Sequence, residues 1–144
     1  MDVWGSTVAG FVLSMLGAAS GGPECLALVG LDLRRSIAWS TDSPEVLASL
    51  YVDDATAAPD VAALEEWSAR GYRLESSMIE IGSCVATPAG PDEVRLSLVD
   101  RLAPTRAVDA AGVVTDLPRD GWSEREVVLR LVDGQWRYAA VSTP

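Results

Sequence analysis

From Glu124 to Val141 the chain alternates apolar and polar residues in two runs, one on each side of Asp133-Gly134. A period of two marks half-buried strands, and Asp-Gly is a strong two-residue hairpin signal because both turn positions take positive φ. Pairing across that turn sets Val132 opposite Gln135, Leu131 opposite Trp136, Leu129 opposite Tyr138 and Val127 opposite Ala140. The last three pairs share one apolar, aromatic face, while Arg130 and Arg137 meet on the other. A sheet with one dry face needs a second layer across it.

The first half of the chain supplies helices. After the Gly21-Gly22-Pro23 break, the pattern predicts a helix from Glu24 to Trp39. Leu26, Val29, Leu33 and Ile37 recur at helical spacing as its expected buried face, and Arg34 and Arg35 suit its C-terminal half. Thr41 to Glu45 breaks the chain and restarts it as a short second helix, which buries Val46, Leu47 and Leu50 and ends near Tyr51. Val52 to Pro59 reads as a loop. Asp60 then caps a third helix, Val61 to Arg70, with Leu64 and Trp67 inward and Gly71 as its stop. The acidic residues Asp53, Asp54 and Asp60 match no calcium-loop spacing and are expected in solvent.

From Tyr72 onward the period is two. Tyr72 to Val85 reads as one strand whose phase slips at a bulge, Ser76-Ser77. Thr87 to Pro91 turns the chain into the clearest strand, Glu93 to Leu102. Val94, Leu96, Leu98 and Leu102 lie on one of its faces, and Arg95, Ser97, Val99 and Arg101 on the other. Arg106 to Ala110 and Val113 to Leu117 form a hairpin about Ala111-Gly112, and Pro118 to Trp122 is a loop. The expected class is α+β: three N-terminal helices packed on a strongly bent antiparallel sheet of about five or six strands.

Residues 3–19 carry no charge and are mostly apolar. One reading is a helix with Trp4, Val8, Phe11, Val12 and Met15 along one side, packed on the domain or on a partner. The other is an export signal or membrane anchor, though the stretch falls short of a span of roughly 20 residues and has no basic start. Residues 1–22 are therefore set apart from a domain over 23–144.

Composition narrows the chemistry. The chain has 144 residues and a formal net charge of −10. Binding to nucleic acid is not expected at that charge. All 11 basic residues are arginine, with no lysine, histidine or asparagine. Histidine acid–base catalysis, Ser-His and Cys-His nucleophiles, histidine metal sites and Schiff-base lysines are excluded within the chain. No cofactor and no metal ligand is expected. Cys25 and Cys84 read as two buried, reduced thiols of a cytoplasmic protein; the alternative is a disulfide closing a loop of about 60 residues, worth around 4 kcal/mol. Cytoplasmic location is the favoured reading, with the cell envelope or export as the other.

Several stretches together resemble the NTF2-like superfamily, the cone fold of ketosteroid isomerases, limonene epoxide hydrolase, scytalone dehydratase and SnoaL-type cyclases. Leu33-Arg-Arg-Ser-Ile-Ala-Trp39 and Ala48-Ser-Leu-Tyr51 look like its opening helices. Leu64 to Tyr72 looks like its third helix entering the first strand, and Leu131-Val-Asp-Gly-Gln-Trp-Arg137 like its last hairpin. The resemblance covers about residues 24–142 and lies nearest small actinobacterial members of no assigned activity. It implies a pocket between the concave sheet face and the helices.

Asp100 is in phase with Leu96 and Leu98, so its carboxylate is expected to point into that pocket with a raised pKa. Tyr51 and Tyr138 are the candidate hydrogen-bond donors beside it, and Trp67, Leu98 and Trp136 the candidate ligand-binding side chains. The bland alternative puts Asp100 at the strand's end, in solvent or paired with an arginine such as Arg106. Known chemistries of the superfamily transfer poorly. The chain has no Arg-x-Asp pair of the epoxide-hydrolase kind, no histidine for a scytalone dehydratase-like site, and one identifiable inward carboxyl where a ketosteroid isomerase-like site needs two. Arg95, Arg101, Arg130 and Arg137 form an outward stripe, and the resemblance implies a homodimer through that sheet surface; the alternative is a solvated face balanced by Glu124 and Glu126. The functional expectation is a non-catalytic domain binding a small apolar ligand or a protein partner, with membrane association possible through residues 3–19. The alternative is a small pocket enzyme of isomerase, epoxide hydrolase, dehydratase or cyclase type that uses the inward carboxylate.

Overall fold

The computed structural model describes residues 22–144. The expectations for residues 3–19 therefore lie outside the described residues. Among the described residues three helices come first: α1 (Gly22–Ser40), α2 (Pro44–Ser49) and α3 (Asp54–Ala69). Seven strands follow: β1 (Tyr72–Glu75), β2 (Ile79–Gly90), β3 (Glu93–Leu102), β4 (Arg106–Asp109), β5 (Val114–Asp116), β6 (Ser123–Val132) and β7 (Gln135–Ser142). The α+β order is as expected, but the strands form two antiparallel sheets, ordered β2-β3-β6-β7 and β1-β4-β5, in place of one bent sheet.

That division is made at Ser76-Ser77. Ser76 takes a φ of +64°, and the chain leaves one sheet for the other there. The phase slip between Tyr72 and Val85 is thus a break between β1 and β2, and not a bulge within one strand. β2 also runs on through Thr87 and Pro88 to Gly90, so its turn into β3 is the tight Pro91-Asp92.

The last hairpin follows its sequence signal. Asp133 and Gly134 both take positive φ, and Leu131 pairs with Trp136 and Leu129 with Tyr138. The register then shifts between Leu129 and Val128, so Val127 faces Val141 where alternation predicts Ala140. An extra residue in β7 absorbs the shift, the signature of a bulge.

The helices depart further from expectation. α1 buries Cys25, Leu28, Leu31, Asp32, Ser36, Ala38 and Trp39. Its expected inner face, Leu26, Val29, Leu33 and Ile37, is exposed at 72%, 45%, 46% and 51%. α3 begins well before the predicted start, with Pro59 inside it. Its N-cap is Asp53, whose carboxylate accepts from the Thr56 backbone N–H at 2.8 Å and the Thr56 hydroxyl at 2.7 Å. Asp60 is consequently a helix-interior residue.

Between helices and sheet, Leu28, Leu31, Leu47, Leu64, Leu96 and Leu129 are essentially fully buried. A disulfide joins Cys25 of α1 to Cys84 of β2, with Cα atoms 6.3 Å apart. Its presence corrects the reading of two reduced thiols. Among the described residues no helix is long and apolar enough to cross a membrane.

Candidate functional site

The interior beneath the helices holds acidic and phenolic groups from several elements. Strand alternation carries Asp100 inward with Leu96 and Leu98, and it is 1% exposed. Its partner is Arg125, whose Nε donates to both carboxylate oxygens at 3.0 and 3.2 Å. Arg106, the partner anticipated as the alternative, lies instead beside Glu75 at 3.5 Å. Arg125 is cross-strand neighbour to Leu98 and in phase with Val127 and Leu129, so it shares the inner face. The sequence carried that signal, because Glu124 and Glu126 flank Arg125 on the outward phase.

A second polar cluster joins the three helices. Arg35 of α1 donates from Nε and Nη2 to the two oxygens of Asp60 in α3, at 2.7 Å each. The Tyr51 hydroxyl donates to Asp60 at 2.7 Å, and the Trp39 indole N–H at 3.2 Å. Burial alone would raise the Asp60 carboxyl, but the Arg35 ion pair and these donors hold it below the usual range. Tyr51 is pushed the other way, by burial first and then by the Asp60 charge. Tyr51 is therefore committed to Asp60, and its ring packs on Tyr138 with centroids 5.1 Å apart. The pairing is fixed by backbone: Val52 N–H donates to the Tyr138 carbonyl and Tyr138 N–H to the Leu50 carbonyl, both at 2.9 Å.

Asp32 is the inward carboxyl that sequence reading missed. It sits on the mixed face of α1, is 4% exposed, and accepts from the Ile79 backbone N–H at 2.8 Å. Burial raises its pKa, opposed by that hydrogen bond and by Arg35, and the Asp100 charge raises it further. Tyr138, 5% exposed, is raised by burial and then by the Asp32 charge. Asp32 thus lies within reach of the Asp100 charge and itself acts on Tyr138. Just before Ile79, at the β1–β2 junction, the Ser77 hydroxyl is buried with no hydrogen-bond partner among the described residues.

The remaining predicted site residues are dispersed. Leu98 is core at 3% exposure. Trp67 is half-buried at the end of α3, edge-on to Tyr72 and under the Arg70 guanidinium. Trp136 lies at the core's margin opposite Leu131. Three of the four outward arginines are matched by acids of their own sheet: Arg95 with Glu126 at 3.3 Å, Arg101 with Glu80 at 2.6 Å and Arg130 with Glu93 at 2.9 Å. Arg101 also lies over the Trp122 ring, 4.2 Å from its centroid. Arg137 instead lines an open groove of about 410 Å³ with Glu45, Ser49, Tyr51, Asp53 and Asp54. That groove lies where α2 and α3 meet β7, and Asp100 is not part of it. Among the described residues no group of three or more acids or cysteines could hold a metal ion.

Solved structures share this arrangement of helices and sheets. Aln2 from a Streptomyces species superposes with a TM-score of 0.55 over 85% of this chain and 93% of its own, at 15% identity. A protein from Streptomyces avermitilis, assigned as a dehydratase of the NTF2-like family, gives 0.52 over 83% and 96%, at 10% identity. The intermembrane space region of the chloroplast protein ARC6 gives 0.54 over 82% and 91%, at 11% identity.

The fold is NTF2-like. Identities this low carry the fold and no activity. No protein-family model matches the sequence, and no curated protein matches it. The structural neighbours include both a protein assigned as an enzyme and a region of an organelle protein, so function has to be argued from this chain's own residues.

Proposed function

We propose that this chain is a non-catalytic NTF2-like domain that binds a protein partner or a small apolar ligand. One observation carries the reading: Asp60, Tyr51 and Asp100 are consumed in hydrogen bonds with neighbouring side chains. Asp60 accepts from Arg35, Tyr51 and Trp39, and Asp100 accepts from Arg125. A general acid or base must present a lone pair or proton to a substrate atom. Tyr51 and Asp100 direct theirs at neighbours, inside a layer of fully buried leucines.

The Cys25–Cys84 disulfide supports an oxidising compartment, which favours export or the cell envelope over the cytoplasm. Pairing of two copies through the outer sheet surface belongs to the same reading. It is supported by an exposed Val85 beside the self-neutralised Arg–Glu pairs, a surface that presents little net charge to a second copy.

A second reading, a pocket enzyme, is favoured by one fact: Asp32 supplies the second inward carboxyl alongside Asp100 and Tyr138. Incubating the full chain with an apolar epoxide, a ketosteroid and a polyketide-like ketone separates the two. The binding reading expects no turnover above buffer, and ligand- or partner-induced rises in Tm that survive Asp100→Asn. Turnover that Asp100→Asn abolishes in a folded protein would establish the enzyme.

A further inference from the structure

Leu117 to Trp122 carries the chain from the small sheet to the large one, and three contacts hold it down. The Leu117 N–H donates to the Thr105 carbonyl at 2.9 Å. The Asp120 carboxylate accepts from the Leu102 backbone N–H at 2.8 Å. β6 begins at Ser123, opposite Asp100, so this carboxylate takes up an N–H that lies beyond the β3–β6 ladder. The third contact is Trp122. Its ring lies 4.2 Å from the Arg101 guanidinium, whose Nε donates to Glu80 at 2.6 Å.

The seat of that ring is Gly82. Ile81 faces Asp100 and Ser83 faces Val99, so Gly82 is the extra residue of a bulge in β2. A Cβ on Gly82 would come 3.2 Å from the Trp122 ring, closer than side chains ordinarily pack. Glycine therefore lets the indole settle on the bare backbone of the bulge. Trp122 stays 50% exposed, and Pro118 to Gly121 are exposed as well. A segment with so few buried contacts opens far more readily than the core beneath it.

The bulge lies back to back with the Asp100–Arg125 pair. Asp100 directly precedes Arg101 in β3, so the two side chains point to opposite faces of the sheet. Across the ladder, the neighbours of Asp100 are Ile81, just before the bulge, and Ser123, just after Trp122. Arg125 follows two residues further along β6. Where its guanidinium meets Asp100 therefore depends on how β6 enters the sheet, and Trp122 fixes that entry.

We propose that Leu117–Trp122 is a strap that locks the Asp100–Arg125 pair from the opposite face of the sheet. With Trp122 on Gly82, the start of β6 lies against β3 and Arg125 closes on Asp100. With the strap lifted, the start of β6 peels from β3 and the Asp100 carboxylate loses its partner. A molecule that takes Trp122 off Gly82 at the outer face thereby frees an acid at the inner one. This link is independent of whether the domain binds or catalyses.

Hydrogen exchange of the full chain, read residue by residue at Leu102, Ser123 and Arg125, tests the proposal. Trp122→Ala, at an exposed position, is expected to speed exchange there by about tenfold or more, while Leu129 and Tyr138 keep their rates. Gly82→Val, which fills the seat of the ring, does the same. The deciding comparison repeats Trp122→Ala in a chain carrying Asp100→Asn with Arg125→Met, where no ion pair is left to lock. Its effect then falls to about threefold or less, because the strap acts through the pair. An equal effect with and without the pair makes Trp122 a local cover of the ladder's end and overturns the proposal. So does exchange at the parent's rate in Trp122→Ala or in a folded Gly82→Val.

Discussion

Arg35 and Asp60 meet side by side, each guanidinium nitrogen facing its own carboxylate oxygen at 2.7 Å. The pair ties α1 to α3 and, through Tyr51, reaches the end of α2. Asp60 is 9% exposed, so removing it strands a cation and two further donors. Breaking one side of a buried pair costs about 3–5 kcal/mol, and the 27% exposure of Arg35 puts this case at the lower end. Asp60→Ala is therefore expected to lower stability by about 3 kcal/mol in urea unfolding. A loss under about 1 kcal/mol would mean the pair is no better than a surface bridge.

Two buried carboxyls make opposite contributions to acid stability. Asp60 is held low in the folded state, so its stabilisation is present above the unfolded value of about 3.9 and is lost as pH falls through the folded one. Asp32 is raised by burial, so its contribution is greatest below that unfolded value and is lost as pH rises through its folded pKa. Asp32→Asn keeps an oxygen for the Ile79 N–H and removes the charge. Its Tm should exceed that of the parent at pH 7 and match it near about pH 3.5. Equal losses at both pH values would show that Asp32 matters for shape and not for charge.

Cys25 and Cys84 are 59 residues apart, and their bond holds α1 against β2. Constraining a loop of that size stabilises by about 4 kcal/mol on the chain-entropy account. Unfolding in urea with a reductant should bring the midpoint down accordingly, and the unreduced, denatured protein should show no free thiol. A midpoint indifferent to reductant sinks the assignment.

Asp100 and Arg125 differ in exposure, at 1% and 33%. Losing the arginine leaves a charge in the interior, while losing the acid leaves a cation that can turn to water. Arg125→Met is expected to cost about 3 kcal/mol, more than Asp100→Asn, with the double variant more stable than Arg125→Met alone. Additive losses in that cycle would show that the two side chains act independently.

The sequence by itself determined the order of helices before strands, the clearest strand and the last hairpin. Alternation in Glu93–Leu102 and the Asp133-Gly134 turn depend only on neighbours along the chain, and β3, the last hairpin and the inward phase of Asp100 follow from them. Tertiary structure decided which face of α1 is core. Spacing favours Leu26, Val29, Leu33 and Ile37, yet the mixed face goes inward because its polar groups find partners that sequence cannot display. Asp32 takes the Ile79 N–H 47 residues on, and Arg35 takes Asp60 25 residues on. The same dependence hid Asp60, which reads as a cap beside Pro59 until Arg35 and Tyr51 are brought to it. Register shifts were equally out of reach, since whether Ser76-Ser77 bulges or breaks is set by which sheet each flank joins. Local periodicity specifies a face, and only long-range pairing of polar groups chooses between two faces that are both apolar enough to bury.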